Sequence, residues 1–277
     1  METIFITGAT GTLATEIISQ LAEKPVKVLG GSRQPKPDTP YEAVEFDYAR
    51  PETFTSFKRA DRVVMIPRPV DMEADQVMIP AIEAAKASGV KQIVLITGMG
   101  INHIPQAPLF LVEQALITSG VDYTIVRPSF FYDNFTKADA QTIAIGKLYT
   151  PAGDGRINFI SAKDVAAVSI AALLNSQNAN KAFDITGSEA PNYSEVAKEL
   201  STALGKPVAY ENISEEQFAQ GLKAAGFADT AIAFFQQVYI SVRAGQNAAL
   251  TNGVEAATGS KPEGLKEFIN RNTQVWA

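Results

Sequence analysis

Residues 3–14 read T-I-F-I-T-G-A-T-G-T-L-A, and few folds accommodate that order. A short apolar run ends in Thr-Gly, a second glycine follows three residues later, and helix-forming residues continue over 12–23. A strand entering a Gly-rich turn that opens a helix is the unit from which parallel α/β sheets are built. The alternation then repeats. Apolar stretches at 26–30, 43–46, 62–66, 92–97 and 123–127 are continuous and rich in Val, Ile and Leu, as strands buried on both faces require. Helical stretches lie between them, clearest at 71–88 and 109–119. The phrases A-S-G-V-K-Q-I-V-L-I (87–96) and T-S-G-V-D-Y-T-I-V (118–126) each stop a helix with Gly and enter a strand within three residues.

This rhythm predicts an α/β fold, a Rossmann-type doubly wound parallel sheet with a smaller α-rich C-terminal substrate lobe. The chain reads as a single domain over 1–277. Residues 1–130 form the core, and a strand at 182–186 returns to it. About 131–160 and 187–277 form the lobe, with helices near 193–204, 215–225, 230–244 and 262–272. A helix at 161–174 precedes the returning strand. The lobe is aromatic, with Phe218, Phe227, Phe234, Phe235 and Tyr239, and is expected over the carboxyl edge of the sheet, where ligands of such folds bind.

Composition removes several function classes. A net charge of −6, with no basic cluster longer than two residues, argues against nucleic acid as a partner. With no Cys there are no disulfides, thiolate nucleophiles or Cys-based metal sites, and a single His, His103, makes a metal centre an unexpected feature. No apolar stretch approaches the ~20 residues of a membrane span, and the chain opens directly on a strand. A cytoplasmic protein with a small-molecule partner is expected, either a monomer or a homodimer.

In the first turn, Gly8 takes the chain off the strand, Gly11 admits the backbone close to a pyrophosphate, and Ala14 allows the helix to pack tightly. A phosphate would rest on the N–H groups and positive dipole of the helix opening at Thr12. The end of the second strand selects the cofactor. It reads G-G-S-R-Q-P, with Ser32 and Arg33 where an NAD site places an acid, and a guanidinium with a hydroxyl suits a 2′-phosphate. The cofactor expected is NADP(H).

These residues, with F-D-Y at 46–48 and R-P-S-F-F-Y-D-N-F at 127–135, resemble the NmrA-like group of atypical short-chain dehydrogenases/reductases. Within it the chain is most similar to the ergot-alkaloid (festuclavine/agroclavine dehydrogenase) type, through K-L-Y-T-P-A-G-D-G-R-I-N-F-I-S-A-K-D-V-A (147–166) and T-G-S-K-P-E-G-L-K-E-F-I-N-R-N-T-Q-V-W (258–276). Triphenylmethane reductase and NADPH:quinone reductase resemble it more distantly. The resemblance covers nearly the whole chain and implies a set of roles. Thr7, Gly8, Thr10, Gly11, Thr12 and Leu13 would surround the pyrophosphate, and Ser32 with Arg33 the 2′-phosphate. Asp47 and Tyr48 would stand beside the adenine, although Asp47 reads equally as the cap of a helix at 51–57. Ile66, Pro67 and Arg68 would line the ribose side, Thr97, Gly98 and Met99 the nicotinamide ribose, and Pro128 and Phe131 the nicotinamide ring.

Tyrosine-dependent members of the wider superfamily carry Tyr-x-x-x-Lys on one helix, a spacing that sets phenol and ammonium on one face. None of the eight tyrosines here has Lys four residues on, and the helix expected to carry the pair reads P-L-F-L-V-E-Q-A-L (108–116). An enzyme built this way works by proximity, delivering hydride to a planar or cationic aromatic acceptor (iminium, quinone or dye-like) that needs no proton in that step. His103, in G-I-N-H-I-P-Q, follows the strand at 92–97, and Tyr132 flanks the same mouth; both remain candidate proton donors, although loop histidines are more often surface residues. The same residues also describe a non-catalytic NADP(H)-binding redox-sensing regulator.

Overall fold

The computed structural model describes residues 1–277 and contains nine strands: β1 (Thr3–Thr7), β2 (Lys27–Ser32), β3 (Glu42–Glu45), β4 (Arg62–Met65), β5 (Gln92–Ile96), β6 (Asp122–Pro128), β7 (Lys147–Thr150), β8 (Lys181–Ile185) and β9 (Ala209–Asn212). The α-helices are α1 (Thr12–Leu21), α2 (Ala74–Ala87), α3 (Pro108–Thr118), α4 (Ala140–Ala144), α5 (Ala162–Leu174), α6 (Tyr193–Leu204), α7 (Glu215–Ala224), α8 (Asp229–Arg243), α9 (Gly253–Thr258) and α10 (Leu265–Asn272). The chain divides into two compact units. The first comprises Met1–Pro128, Ala162–Ile185 and Gly253–Ser260; the second comprises Ser129–Ser161, Thr186–Asn252 and Lys261–Ala277.

The first unit is the doubly wound sheet that the apolar runs predict. Seven strands lie in the order β3-β2-β1-β4-β5-β6-β8, all parallel. Alternate strand residues face opposite sides. Phe5 packs with Phe46, Phe57 and the apolar faces of α2 and α3, a core that includes Val63, Met65, Ile93, Leu95, Val112 and Leu116. α1 lies against α5, and α2 against α3. The strand order reverses between β1 and β4, so the turn after β1 opens at the sheet's topological switch point.

α9 also belongs to the first unit, although the sequence places 253–260 with the lobe. It packs on α5 and β8. Gly253 makes this possible, since a Cβ there would lie 2.2 Å from the Asp184 carbonyl oxygen.

The second unit is richer in helix but carries its own small sheet, β7 and β9 in parallel, from Lys147↔Ala209 to Thr150↔Asn212. Its core is aromatic: Tyr132, Phe135, Phe159, Tyr193, Phe268 and Trp276 are all buried. The Trp276 indole N–H donates to the Phe135 carbonyl at 2.8 Å. No helix in either unit is long and apolar enough to cross a membrane.

Candidate functional site

The turn between β1 and α1 is shaped by two glycines. Gly8 has φ +66, a left-handed conformation that side chains strain. A Cβ on Gly11 would stand 3.2 Å from the Gly8 carbonyl, which itself accepts the Gly11 N–H at 2.8 Å. Ala9 N–H donates to the Gly31 carbonyl at 2.9 Å and fixes the turn to the end of β2. Gly11 caps α1 with no side-chain hydrogen bond, and the first turn holds no acidic residue. The first N–H groups of a helix have no intrahelical acceptor, so Thr12 and Leu13 present donors at the positive end of the dipole. Thr10, Gly11 and Thr12 are exposed and Ala14 is buried. This turn fits a pyrophosphate.

Thr7 points the other way. Its hydroxyl is buried, accepts the Ile66 N–H at 2.8 Å, and lies 3.3 and 3.4 Å from the carbonyls of Val64 and Ile66. The Tyr48 hydroxyl is 2.9 Å away. With one proton to give, a Thr7 hydroxyl that donates to a β4 carbonyl accepts from Tyr48. Thr7 therefore ties β1 to the end of β4, and its hydroxyl is not offered to a ligand. Tyr48 is likewise a core residue, edge-on to Phe46 at 5.0 Å, with burial raising its phenol above the ordinary range.

Asp47 does not cap a helix. Residues Pro51–Arg59 form a 3₁₀ helix whose cap is Arg50, without a side-chain bond. The Asp47 carboxylate instead accepts the Ala49 N–H at 3.0 Å, closing a local turn that leaves Asp47 half-buried beyond β3. Ile66 and Pro67 are half-buried past β4, and Arg68 is exposed, with its Nε 2.7 Å from Asp71 Oδ2. That bond raises the Arg68 guanidinium further.

At the end of β2, Ser32 is buried and Arg33 exposed. Glu45, the register partner of Ser32, is paired with Arg50, and no ion pair involves Arg33. An uncompensated guanidinium stands beside a hydroxyl-bearing residue, with the nearest β3 acid already neutralised. Gly30 and Gly31 are required there because a Cβ would run into Tyr41 at 2.2 Å and Phe5 at 2.7 Å.

The carboxyl ends of β5 and β6 enclose a charge network that sequence reasoning passed over. Glu113 on α3 is fully buried. Its Oε1 takes the Thr97 hydroxyl at 2.6 Å and Arg127 Nε at 2.9 Å, and its Oε2 takes Arg127 Nη2 at 2.6 Å. Asp184 Oδ1 lies 3.4 Å from Arg127 Nη1. The guanidinium is raised, chiefly by its bonds to Glu113. The signal in the sequence was a lone Glu in the apolar run P-L-F-L-V-E-Q-A-L, which has to find a cation if buried. Thr97 thus spends its hydroxyl inward. The next two residues, Gly98 and Met99, are half-buried, and Met99 N–H donates to the Pro128 carbonyl at 2.9 Å.

The two candidate proton donors fare differently. His103 is exposed in the short turn Ile101–His103, its Nε2 3.1 Å from the Asn102 amide nitrogen. Tyr132 is fully buried in the second unit, stacked between Phe159 and Phe268 at 5.3 Å each. The structure makes Tyr132 a core ring rather than a group at a site's mouth, because three aromatic neighbours offer it more contact area than solvent would. Phe131, half-buried, forms a single bridge with Ile160 in the second unit, while Pro128 closes β6 in the first.

Residues 8–176 match the NAD(P)H-binding family. Agroclavine dehydrogenase of Claviceps fusiformis is 30% identical, an alignment covering 99% of this chain and 98% of that protein. The NAD(P)H azoreductase of Xenophilus azovorans is 29% identical over 99% of each chain. Among solved structures, an NADPH-dependent quinone oxidoreductase from Escherichia coli superposes with a TM-score of 0.78 at 25% identity, covering 98% of this chain and 99% of its own.

Proposed function

The chain belongs to the NmrA-like, NAD(P)H-binding family of reductases, and on that premise we propose that it reduces a planar or cationic organic acceptor with NADPH in preference to NADH. The observation that carries the reading is the uncapped, acid-free start of α1 together with an Arg33 that has no acidic partner. The backbone from Gly8 to Leu13 would hold the pyrophosphate, and Ser32 with Arg33 the 2′-phosphate. Asp47, Ile66, Pro67 and Arg68 would border the adenosine half, and Thr97, Gly98, Met99, Pro128 and Phe131 the nicotinamide half. NADPH, when bound, supplies the hydride.

The chain's contribution is orientation. The Thr97–Glu113–Arg127 network holds the end of β5 rigid, and rigid placement of reacting groups accounts for much of catalysis where no acid participates. No tyrosine carries the Lys of a phenol–ammonium pair, which favours acceptors that are electrophilic without protonation. The relatives named for agroclavine, for azo compounds and for quinones support that class.

The test is NADPH oxidation against a cyclic iminium, a benzoquinone and an azo dye, beside a calorimetric titration of NADPH. Turnover of at least one acceptor is expected. Tight NADPH binding with no turnover of any of them would favour a dinucleotide-sensing regulator.

A further inference from the structure

A single β-branched residue stands on the left-handed side of backbone space, and it lies in the turn beside the phosphate cradle. Three residues other than glycine have positive φ: Asp38 at +59, Val70 at +50 and Asn180 at +58. Asp and Asn visit that region readily, whereas a side chain branched at Cβ crowds the backbone there. Val70 follows β4 in I-P-R-P-V-D-M-E (66–73). Pro67 and Pro69 fix their own φ, and a residue ahead of proline keeps to extended backbone, which restrains Ile66 and Arg68 as well. The reversal that leads into α2 therefore falls on Val70.

An ion pair spans the strained residue. Arg68 Nε donates to Asp71 Oδ2 at 2.7 Å, so the pair closes across Val70, and Asp71 Oδ1 accepts the Glu73 N–H at 3.2 Å. The Asp71 carboxylate is largely shielded, while the guanidinium is exposed. A partly exposed ion pair and one strained residue are of similar magnitude and opposite sign, so the closed turn is near balance, as a two-state element requires. The root of this turn is tied to the cradle. Ile66 N–H donates to the Thr7 hydroxyl at 2.8 Å. The register Ile6↔Val64 sets Gly8 level with Ile66 on the neighbouring strand, about 5 Å across. Arg68 is the first cation beyond β4, two residues from that level. Its partner is a carboxylate, and a diphosphate competes for the same N–H donors of a guanidinium.

We infer that Arg68, Val70 and Asp71 form a latch that the dinucleotide releases: Arg68 exchanges the Asp71 carboxylate for the diphosphate, and Val70 returns to negative φ. The latch rests on the proposed function for the identity of its ligand and adds to it a coupling between binding and the turn from β4 to α2. Strain at Val70 offsets part of the ion pair, so the turn holds until a phosphate offers Arg68 a second partner. A turn that only presented Arg68 would keep one backbone conformation throughout, and relieving its strain would leave affinity unchanged.

The test is calorimetric titration of NADPH into variants of the turn. Glycine and asparagine accept positive φ, so Val70→Gly and Val70→Asn favour the closed latch, and each is expected to weaken NADPH binding about fivefold. Val70→Thr keeps the branched Cβ and is expected to bind as the unaltered protein does. Asp71→Asn loosens the latch while its Oδ1 still accepts from Glu73, and is expected to tighten NADPH. In that background Val70→Gly is expected to change affinity by less than about twofold, because both substitutions act on one equilibrium. Adenosine 2′-monophosphate, which has no diphosphate, is expected to bind Val70→Gly and the unaltered protein alike. Unchanged NADPH affinity in Val70→Gly and Val70→Asn, an equal loss in Val70→Thr, an equal loss for adenosine 2′-monophosphate, or the same loss with and without Asp71→Asn overturns the latch and leaves the proposed function standing. Failure of the unaltered protein to bind NADPH overturns both.

Discussion

In the proposed reading, Arg33 is the one residue that decides a choice of cofactor. A guanidinium offers parallel N–H donors that match a phosphate dianion, while a carboxylate repels that dianion and accepts from a 2′-hydroxyl. Because Arg33 has no partner in the protein, replacing it leaves no stranded charge behind. Arg33→Asp is expected to lower kcat/KM for NADPH by roughly tenfold or more and to improve NADH relative to it. An unchanged ratio of the two kcat/KM values would sink the 2′-phosphate assignment. Asp139 makes a separate prediction about stability. Its folded-state carboxyl, at about 7, lies well above the ordinary carboxylate range, so the folded chain holds a proton that the unfolded chain has already released. Stability from this group is therefore greatest below the unfolded value and falls as pH rises toward about 7. Asp139→Asn removes that dependence. The variant is expected to gain Tm over the unaltered protein at pH ~8 while matching it near pH ~4, read by thermal unfolding of both at each pH. A constant difference between the two would show that Asp139 titrates normally.

At the scale of elements, α3, β5 and β6 are joined through the Glu113 carboxylate, which is shared between Thr97 and Arg127. Removing one member of a buried pair strands the other, at a cost of about 3–5 kcal/mol, so Glu113→Ala is expected to be severe. Thr97→Val loses a single hydrogen bond, about 1 kcal/mol, and is expected to add almost nothing in the Glu113→Ala background. Urea denaturation of the two single variants and the double variant measures this, and additive effects would show that Thr97 does not act through Glu113. The elements also show what a sequence reveals. The sheet was legible because its strands are buried on both faces and enter directly from Gly-terminated helices, as at 87–96 and 118–126. β7 and β9, K-L-Y-T and A-Y-E-N, were missed because four residues of mixed polarity carry neither an apolar run nor a clear alternation. α4 and α9 are too short to show a helical period. In the site, the glycines were legible because backbone conformation and close approach restrict residue type. The direction of a hydroxyl was not: Thr7 and Thr97 stand where the motif places them, yet both turn inward, to Tyr48 and Glu113. Tyr132 reads as a mouth residue beside R-P-S-F-F, and only the packing of Phe159 and Phe268 removes it from that role.

For the whole molecule, the consequential fact is that neither unit is one continuous segment. The chain leaves the first unit after Pro128, returns at Ala162, leaves after Ile185, and comes back once more for Gly253–Ser260. That last visit places α9 on α5 and β8, and β8 is the edge strand of the sheet, paired with β6 alone. A helix drawn from late in the sequence thus packs on a strand that would otherwise be held from one side. Gly253 sets how closely it packs: a Cβ would meet the Asp184 carbonyl oxygen at 2.2 Å and Ile185 Cγ2 at 2.9 Å. Backbone oxygen cannot swing aside as a flexible side chain can, so α9 itself has to shift. Gly253→Val is expected to weaken the first unit by about 1–3 kcal/mol, the usual range for forced overpacking. The effect should concentrate at β8, the element in contact, with the sheet centre around β1 and β4 least affected. The single tryptophan makes the second unit separately visible, since buried Trp276 lies in that unit's core with its indole bonded to Phe135. In Gly253→Val, amide exchange in β8 should therefore accelerate under conditions where Trp276 fluorescence stays native. Unchanged β8 protection would mean that α9 does not hold the edge strand in place.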